Sequence, residues 1–211
     1  GVKAMRDAVS IPVTVKHRIG IDRGESYDFV RDFVGTVAAA GCEVFIVHAR
    51  KAWLQGLSPK QNREIPPLNY PWVYRLKQDF PHLTIVLNGG IQTLQDCQTH
   101  LRHVDGVMLG REAYQNPWML AQVDEVLFGM DKTAQSRDDV IAALLPYAQR
   151  QIARGAQLNH ITRHILGLYQ GVPGARKFRR HLSENAYRKG AGPEVLAQAR
   201  ALVSGHYDEQ T

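Results

Sequence analysis

Residues 84–114 read TIVLNGGIQTLQDCQTHLRHVDGVMLGREAY, and their reading decides the fold. Two short apolar runs, Leu83–Leu87 and Gly106–Leu109, each end in a glycine-bearing turn: Asn88-Gly89-Gly90-Ile91, then Gly110-Arg111-Glu112. Each run reads as a buried parallel strand that stops where the backbone can approach a ligand closely. A helix is expected after each turn. Thr93 is a candidate N-cap with Asp96 three residues on, and Asn116-Pro117 offers a cap followed by a proline at the first helical position. Strand–turn–helix units with glycines at the strand's carboxyl end can cradle a phosphate, because free amides point outward there. Arg111 would add a fork of donors. The plain alternative is that these glycines only make tight turns.

Working towards the N-terminus, Pro71 starts a helix running to about Phe80, and before it Lys51–Asn69 is a long irregular stretch rich in lysine, arginine, proline and asparagine. Loops of that length inside compact domains are usually functional or mobile. Val44–Val47 is a strand ending at His48-Ala49-Arg50. Ser26 can cap a helix carrying Phe29, Val30, Phe33, Val34 and Val37 at helical spacing, with Gly41 ending it. Ile11–Lys16 is the first strand, with Pro12 tolerated at its beginning. The alternation gives four strand–helix units and hence a parallel sheet. Gly1–Ser10 reads as the tail of a helix, so the chain is expected to start inside a domain.

Towards the C-terminus the composition shifts near Gly129, and Met130–Gln135 reads as a linker. Ser136 caps a new helix with Val140, Leu144, Ala148 and Ile152 along it; from there to Val203 only helices are expected, as an antiparallel bundle of about four. Within Ala175–Arg188, Phe178, Leu182 and Ala186 share one face, and Arg176, Lys177, Arg179, Arg180 and His181 crowd the others. The domains expected are 1–128, α/β, and 136–205, helical.

The 211 residues carry a formal net charge of +6, which favours a polyanionic partner without identifying one. No apolar run approaches a membrane span, no signal peptide is visible, and the two cysteines, Cys42 and Cys97, lack metal-ligand spacing. A reducing cytoplasm is the simplest setting. No metal site is expected, since His160, His164 and His181 lack paired spacing and acidic partners. At the strand ends, Lys16, His48, Asn88 and Gly110-Arg111 would converge on one mouth suited to a phosphorylated, electron-rich cofactor. Lys16 could equally be a solvated lysine, and His48 a packed one.

With these residues assembled, the chain resembles the tRNA-dihydrouridine synthases, in particular the bacterial A subfamily. The likeness is carried by PVTVKHRIGID (12–22), FIVHARKAWLQGLSPKQNREIPPL (45–68), LNGGI (87–91), DGVMLGREAYQNPW (105–118) and GVPGARKFRRHLSENA (171–186). It covers essentially the whole chain. The resemblance implies a (β/α)8 TIM barrel followed by a helical bundle domain, this chain holding the C-terminal half of the barrel. It implies FMN, reduced by NADPH, passing hydride to C6 of a D-loop uridine of tRNA (U20 and U20a), with a cysteine acid protonating C5. On the family pattern Lys16 lies against the flavin ring, His48 contacts FMN, and Asn88, Gly89, Gly90, Gly110 and Arg111 hold the flavin phosphate. Lys60, Arg63 and Arg176 fall at tRNA-contact positions.

One departure is large. The family's Asn-x-Gly-Cys-Pro motif, which supplies the acid cysteine, does not occur here, and neither Cys42 nor Cys97 matches it. The first barrel strands would precede Gly1, in a longer protein of which this is a fragment or in an ancestor of a shortened chain. An open half barrel would favour self-association. Two other readings stay open at this point: a tRNA-binding module without chemistry, and a small-molecule flavin dehydrogenase of the TIM-barrel type.

Overall fold

A computed structural model describes residues 1–22, 26–131 and 136–203. The chain divides into two compact units, Gly1–Gly110 and Arg111–Thr211, the division falling ahead of the composition shift near Gly129. Most of the expected linker Met130–Gln135, and the last two residues of the span 136–205, lie outside the described residues.

The first unit alternates helix and strand: α1 (Val2–Ala8), β1 (Val15–Arg18), α2 (Tyr27–Ala39), β2 (Val44–His48), α3 (Tyr70–Asp79), β3 (Thr84–Asn88), α4 (Leu94–Leu101) and β4 (Gly106–Met108). The four strands are parallel and lie in chain order, β1-β2-β3-β4. Parallel neighbours need a crossover, and the intervening helices provide it. A doubly wound sheet reverses its strand order at a switch point; these four strands show no reversal.

Side chains alternate across each strand, so the sheet has two unlike faces. Phe45, Val47, Ile85 and Leu87 have no exposed surface, and α3 packs on β3 and α4 on β4. Val73, Leu76, Leu94 and Cys97 supply the helix side of that layer. Each such residue contributes roughly 1.5–3 kcal/mol of burial. On the opposite face Lys16 is exposed, while Ile46, His48 and Val86 are only half-buried.

β1 starts and ends later than the apolar run Ile11–Lys16 suggests. Pro12 has no N–H to donate, Ile11 is 70% exposed, and pairing begins only at Val15, so the strand extends to Arg18. Lys16 is therefore an interior strand residue, not its end. Helix starts agree better with the sequence. Thr93 and Asp96 form a reciprocal capping box on α4, and Asn69 caps α3 ahead of Pro71.

The second unit, among its described residues, contains α5 (Arg111–Gln115), a 3-10 segment (Pro117–Gln122), α6 (Val123–Phe128), α7 (Arg137–Ala153), α8 (Asn159–Thr162), α9 (Ala175–Asn185) and α10 (Glu194–Ala201). Ser136 and Asp139 make a second capping box, and Gly129 ends α6 in the left-handed region. Phe178, Leu182 and Ala186, one helical face, are buried with Ala148, Leu196 and Ala199 in one apolar core. Asn116 stands before Pro117 as expected, although its side chain makes no cap bond. Among the described residues no helix is long and apolar enough to cross a membrane.

Candidate functional site

Strand register assembles the site. Arg18 stands opposite His48, His48 opposite Asn88, and Asn88 opposite Met108. One step inward, Lys16, Ile46, Val86 and Gly106 form the next row. Rows two residues apart share a face, so Lys16, Arg18, His48 and Asn88 all lie on the side that the helices leave uncovered. Lys16 thus sits one layer below His48 and Asn88, and Arg18 holds the end position that the sequence reading assigned to Lys16.

The cations press on one another. Burial and then the Arg18 charge hold the Lys16 ammonium below the ordinary lysine range. Arg18 is lowered by burial first and then by the charges of Arg50 and Arg63. An anion brought beside them would relieve this repulsion.

Arg18 also fixes the long loop. Its Nη1 donates to the carbonyls of Lys51 and Asn62, each at 2.8 Å, and to Asn62 Oδ1 at 3.1 Å. Asn62 Oδ1 accepts from the Trp53 amide as well, at 3.1 Å. Ser58 and Gln61 exchange bonds in the manner of a capping box, Ser58 N to Gln61 Oε1 at 2.9 Å and Gln61 N to Ser58 Oγ at 3.3 Å. That local order leaves Lys60 and Arg63, on the single 3-10 turn Gln61–Arg63 and its leading residue, exposed to solvent. Sequence reasoning missed Arg18 and Asn62. The Lys16-x-Arg18 spacing, which puts both on one face of a strand, was the available signal for the first.

Beyond β3 the glycines are required by conformation. Gly89 has φ +114° and Gly90 φ +73°, a region that side chains rarely adopt. A Cβ on Gly89 would lie 3.2 Å from His48 Cδ2 and Nε2, so the imidazole rests against this turn. Gly89 is buried and Gly90 exposed. Asn88 is 8% exposed, and its Nδ2 donates to the Met108 carbonyl at 2.7 Å. One of its two donors therefore braces the end of β4. Gly110 is exposed and has no atom within 4 Å of where a Cβ would stand. Arg111, the next residue, is exposed and begins the second unit.

Neither cysteine belongs to this face. Cys42 is buried with its Sγ 3.3 Å from the Val44 carbonyl; Cys97 is buried inside α4, and burial pushes its thiol up.

In the second unit Arg176, Lys177, Arg179 and Arg180 are exposed on α9. Arg163, Arg176 and Arg179 line an open cleft of about 720 Å³ together with Tyr114. There His164 Nε2 accepts from Arg163 Nε at 3.1 Å, which leaves its Nδ1 proton for Tyr114 Oη at 3.0 Å. Arg179 belongs to the basic cluster read from the sequence, whereas Arg163 was not singled out there.

The family model described as "Dihydrouridine synthase (Dus)" matches residues 1–203. Curated relatives called tRNA-dihydrouridine(20/20a) synthase are 62% identical over 204 residues in Salmonella typhi and 60% over 209 residues in Yersinia pestis. The protein of that name in Shewanella oneidensis is 63% identical over 202 residues. These matches take in 96%, 99% and 96% of this chain but only 61%, 61% and 60% of the relatives. The chain spans about three-fifths of the length of the curated relatives it matches.

Proposed function

The chain belongs to the dihydrouridine synthase family, and from that premise we propose that it carries the flavin-binding and RNA-contacting parts of an enzyme that reduces uridine to dihydrouridine in tRNA. The target would be U20 and U20a, as the names of the relatives suggest. The four strands would be the C-terminal half of a (β/α)8 barrel, and the region from 136 onward its helical tRNA-binding domain. One observation carries the reading: Lys16, Arg18, His48 and Asn88 share the uncovered face, which ends at the left-handed Gly89-Gly90 turn.

FMN fits that face. Gly89 and Gly90 offer a backbone that no Cβ obstructs, and Gly110 adds an exposed, side-chain-free approach. Arg111 follows Gly110 in the chain and would add a cation at the phosphate. Bound FMN would supply hydride chemistry, recharged by NADPH and directed at C6 of the uridine. Lys16 would offset negative charge on the ring, and its own strained charge beside Arg18 makes an anionic neighbour favourable. His48 would pack beside the turn and orient the group. The acid that protonates C5 is assigned to no residue of this chain, since Cys42 and Cys97 are both buried away from the face.

Lys60 and Arg63 on the loop, and Arg176 on α9, would take tRNA phosphates. Their contribution is salt-dependent and independent of base sequence. A uridine has to leave its stack to reach a flavin, so the RNA contacts would hold the fold while one base is extruded. Ile46 and Val86 leave apolar surface on the open face, and gel filtration of the chain alone is expected to show self-association.

Two titrations test the proposal: quenching of FMN fluorescence by the chain, and a gel shift with unmodified tRNA at low and high salt. Binding of both ligands, with FMN binding weakened by Lys16→Ala, supports it. A shift without flavin binding would favour the RNA-binding module, and flavin binding without a shift the small-molecule dehydrogenase.

A further inference from the structure

The peptide unit between Gly89 and Gly90 is flanked by two residues of positive φ, +114° and +73°. With no Cβ on either side, little steric resistance opposes its rotation. Something else has to choose which way its carbonyl and amide point.

Tyr70, the first residue of α3, makes that choice. Its Oη donates to the Gly89 carbonyl at 3.0 Å. A peptide bond is planar and trans, so its C=O and the following N–H point in opposite directions. Holding the Gly89 oxygen towards Tyr70 turns the Gly90 amide away from it. The turn is also seated from behind: a Cβ on Gly90 would come within 2.5 Å of Leu68 Cδ1 and 2.8 Å of Tyr70 Oη.

Tyr70 is itself held. Its ring centroid lies 4.4 Å from that of His100, which is 6% exposed. His100 Nδ1 is 2.7 Å from Tyr74 Oη, and the Tyr74 ring stacks on His103 at 4.3 Å. Tyr70, His100 and Tyr74 thus form a connected brace from α4 and α3 to the glycine turn. Nothing in the family likeness picked out these residues.

We propose that Tyr70 is a positioning residue: with His100 packed behind it, its hydroxyl fixes the Gly89–Gly90 peptide so that the Gly90 amide faces a bound phosphate. The inference rests on reading the Gly89-Gly90 turn as the flavin phosphate cradle. Burial raises the Tyr70 phenol above its ordinary range, which keeps it a proton donor at any ordinary working pH.

The test is Tyr70→Phe, which removes the hydroxyl and keeps the ring on His100. Riboflavin, which lacks the phosphate, is the comparison ligand. Affinity for FMN should fall about five- to tenfold, the worth of one hydrogen bond, while affinity for riboflavin stays at the parent value. In the ligand-free chain the backbone order parameter at Gly90 should drop from about 0.85 to below about 0.6, with α3 and the interior of β3 unchanged. Equal loss for FMN and riboflavin, or an unchanged Gly90 order parameter, overturns the proposal. If the parent chain binds neither flavin, the cofactor reading fails by itself, and the order parameter still decides whether Tyr70 orients the turn.

Discussion

Arg18 and Asn62, 44 residues apart, are joined twice through Arg18 Nη1, at 2.8 Å to the Asn62 carbonyl and 3.1 Å to its Oδ1. The strand end that faces the site therefore also fixes the loop that presents Lys60 and Arg63. Asn62 is the hub, since it bonds the Trp53 amide and carbonyl as well.

Replacing the Asn62 side chain should loosen the loop while Arg18 keeps its bonds to the Lys51 and Asn62 carbonyls. Hydrogen bonds to a charged group contribute about 1.5–3 kcal/mol each. Asn62→Ala is expected to speed tryptic cleavage after Lys60 and Arg63 about tenfold or more, because cleavage follows the population of the open loop. Affinity for tRNA should fall with it, and FMN affinity should stay unchanged. Limited proteolysis read by mass spectrometry, beside a gel shift, measures both.

These contacts also mark where sequence reading stops. The parallel sheet and the starts of α4 and α7 were legible because apolar runs, glycine turns and the Thr93/Asp96 and Ser136 caps are all local signals. The end of β1 was not, because hydrophobicity marks Ile11–Lys16 as strand while backbone pairing, refused by Pro12, runs from Val15 to Arg18. That two-residue difference moved Lys16 inward and put Arg18 in its place. The Arg18–Asn62 link and the Tyr70–Gly89 bond join segments far apart in the chain, and no spacing rule reports them. The family likeness places Asn88 at the flavin phosphate, and no local signal announces that its Nδ2 also donates to the Met108 carbonyl.

The two glycine turns can be separated by mutation. At Gly90 an alanine meets both a positive φ of +73° and a Leu68 methyl at 2.5 Å, so Gly90→Ala should destabilise the first unit by about 1–3 kcal/mol and abolish flavin binding. At Gly110 the space is open, so Gly110→Ala should leave the melting temperature within about one degree. If a phosphate approaches there, FMN affinity should nevertheless fall. An FMN affinity equal to the parent's in Gly110→Ala would remove that glycine from the cradle.

Acid sensitivity should begin at the histidines. Burial is the largest influence on both His17 and His100 and holds each below the ordinary histidine range. For His100 the neighbouring groups are Tyr70, Tyr74, Asp96 and His103. Where the folded pKa lies below the unfolded one, the unfolded chain binds more protons in between. Stability is then complete above about pH 6.5 and falls as pH drops below it. Asp96 and Asp105 have depressed pKa values, and their share is lost only near and below about pH 4. Thermal midpoints between about pH 8 and about pH 5 should decline, and less steeply in His100→Gln. A slope identical to the parent's in that variant would show that His100 does not carry the effect.

The proposed division of labour between the units can be tested on α9, whose Arg176 and Arg180 are both exposed but differently occupied. Arg180 Nε holds Glu184 Oε1 at 2.7 Å, one turn on, so part of its charge is already answered. Arg176 lines the arginine cleft instead. A cation that neutralises one phosphate contributes about 0.7–0.9 to the slope of log affinity against log salt. Arg176→Ala should reduce the slope for tRNA by about that much and weaken binding alike for tRNAs of different sequence, with FMN affinity unchanged. Arg180→Ala should change the slope by clearly less. Equal slopes in the two variants would mean that α9 offers only diffuse positive charge, and a joint loss of tRNA and FMN binding in Arg176→Ala would mean that the two ligands are not held by separate units.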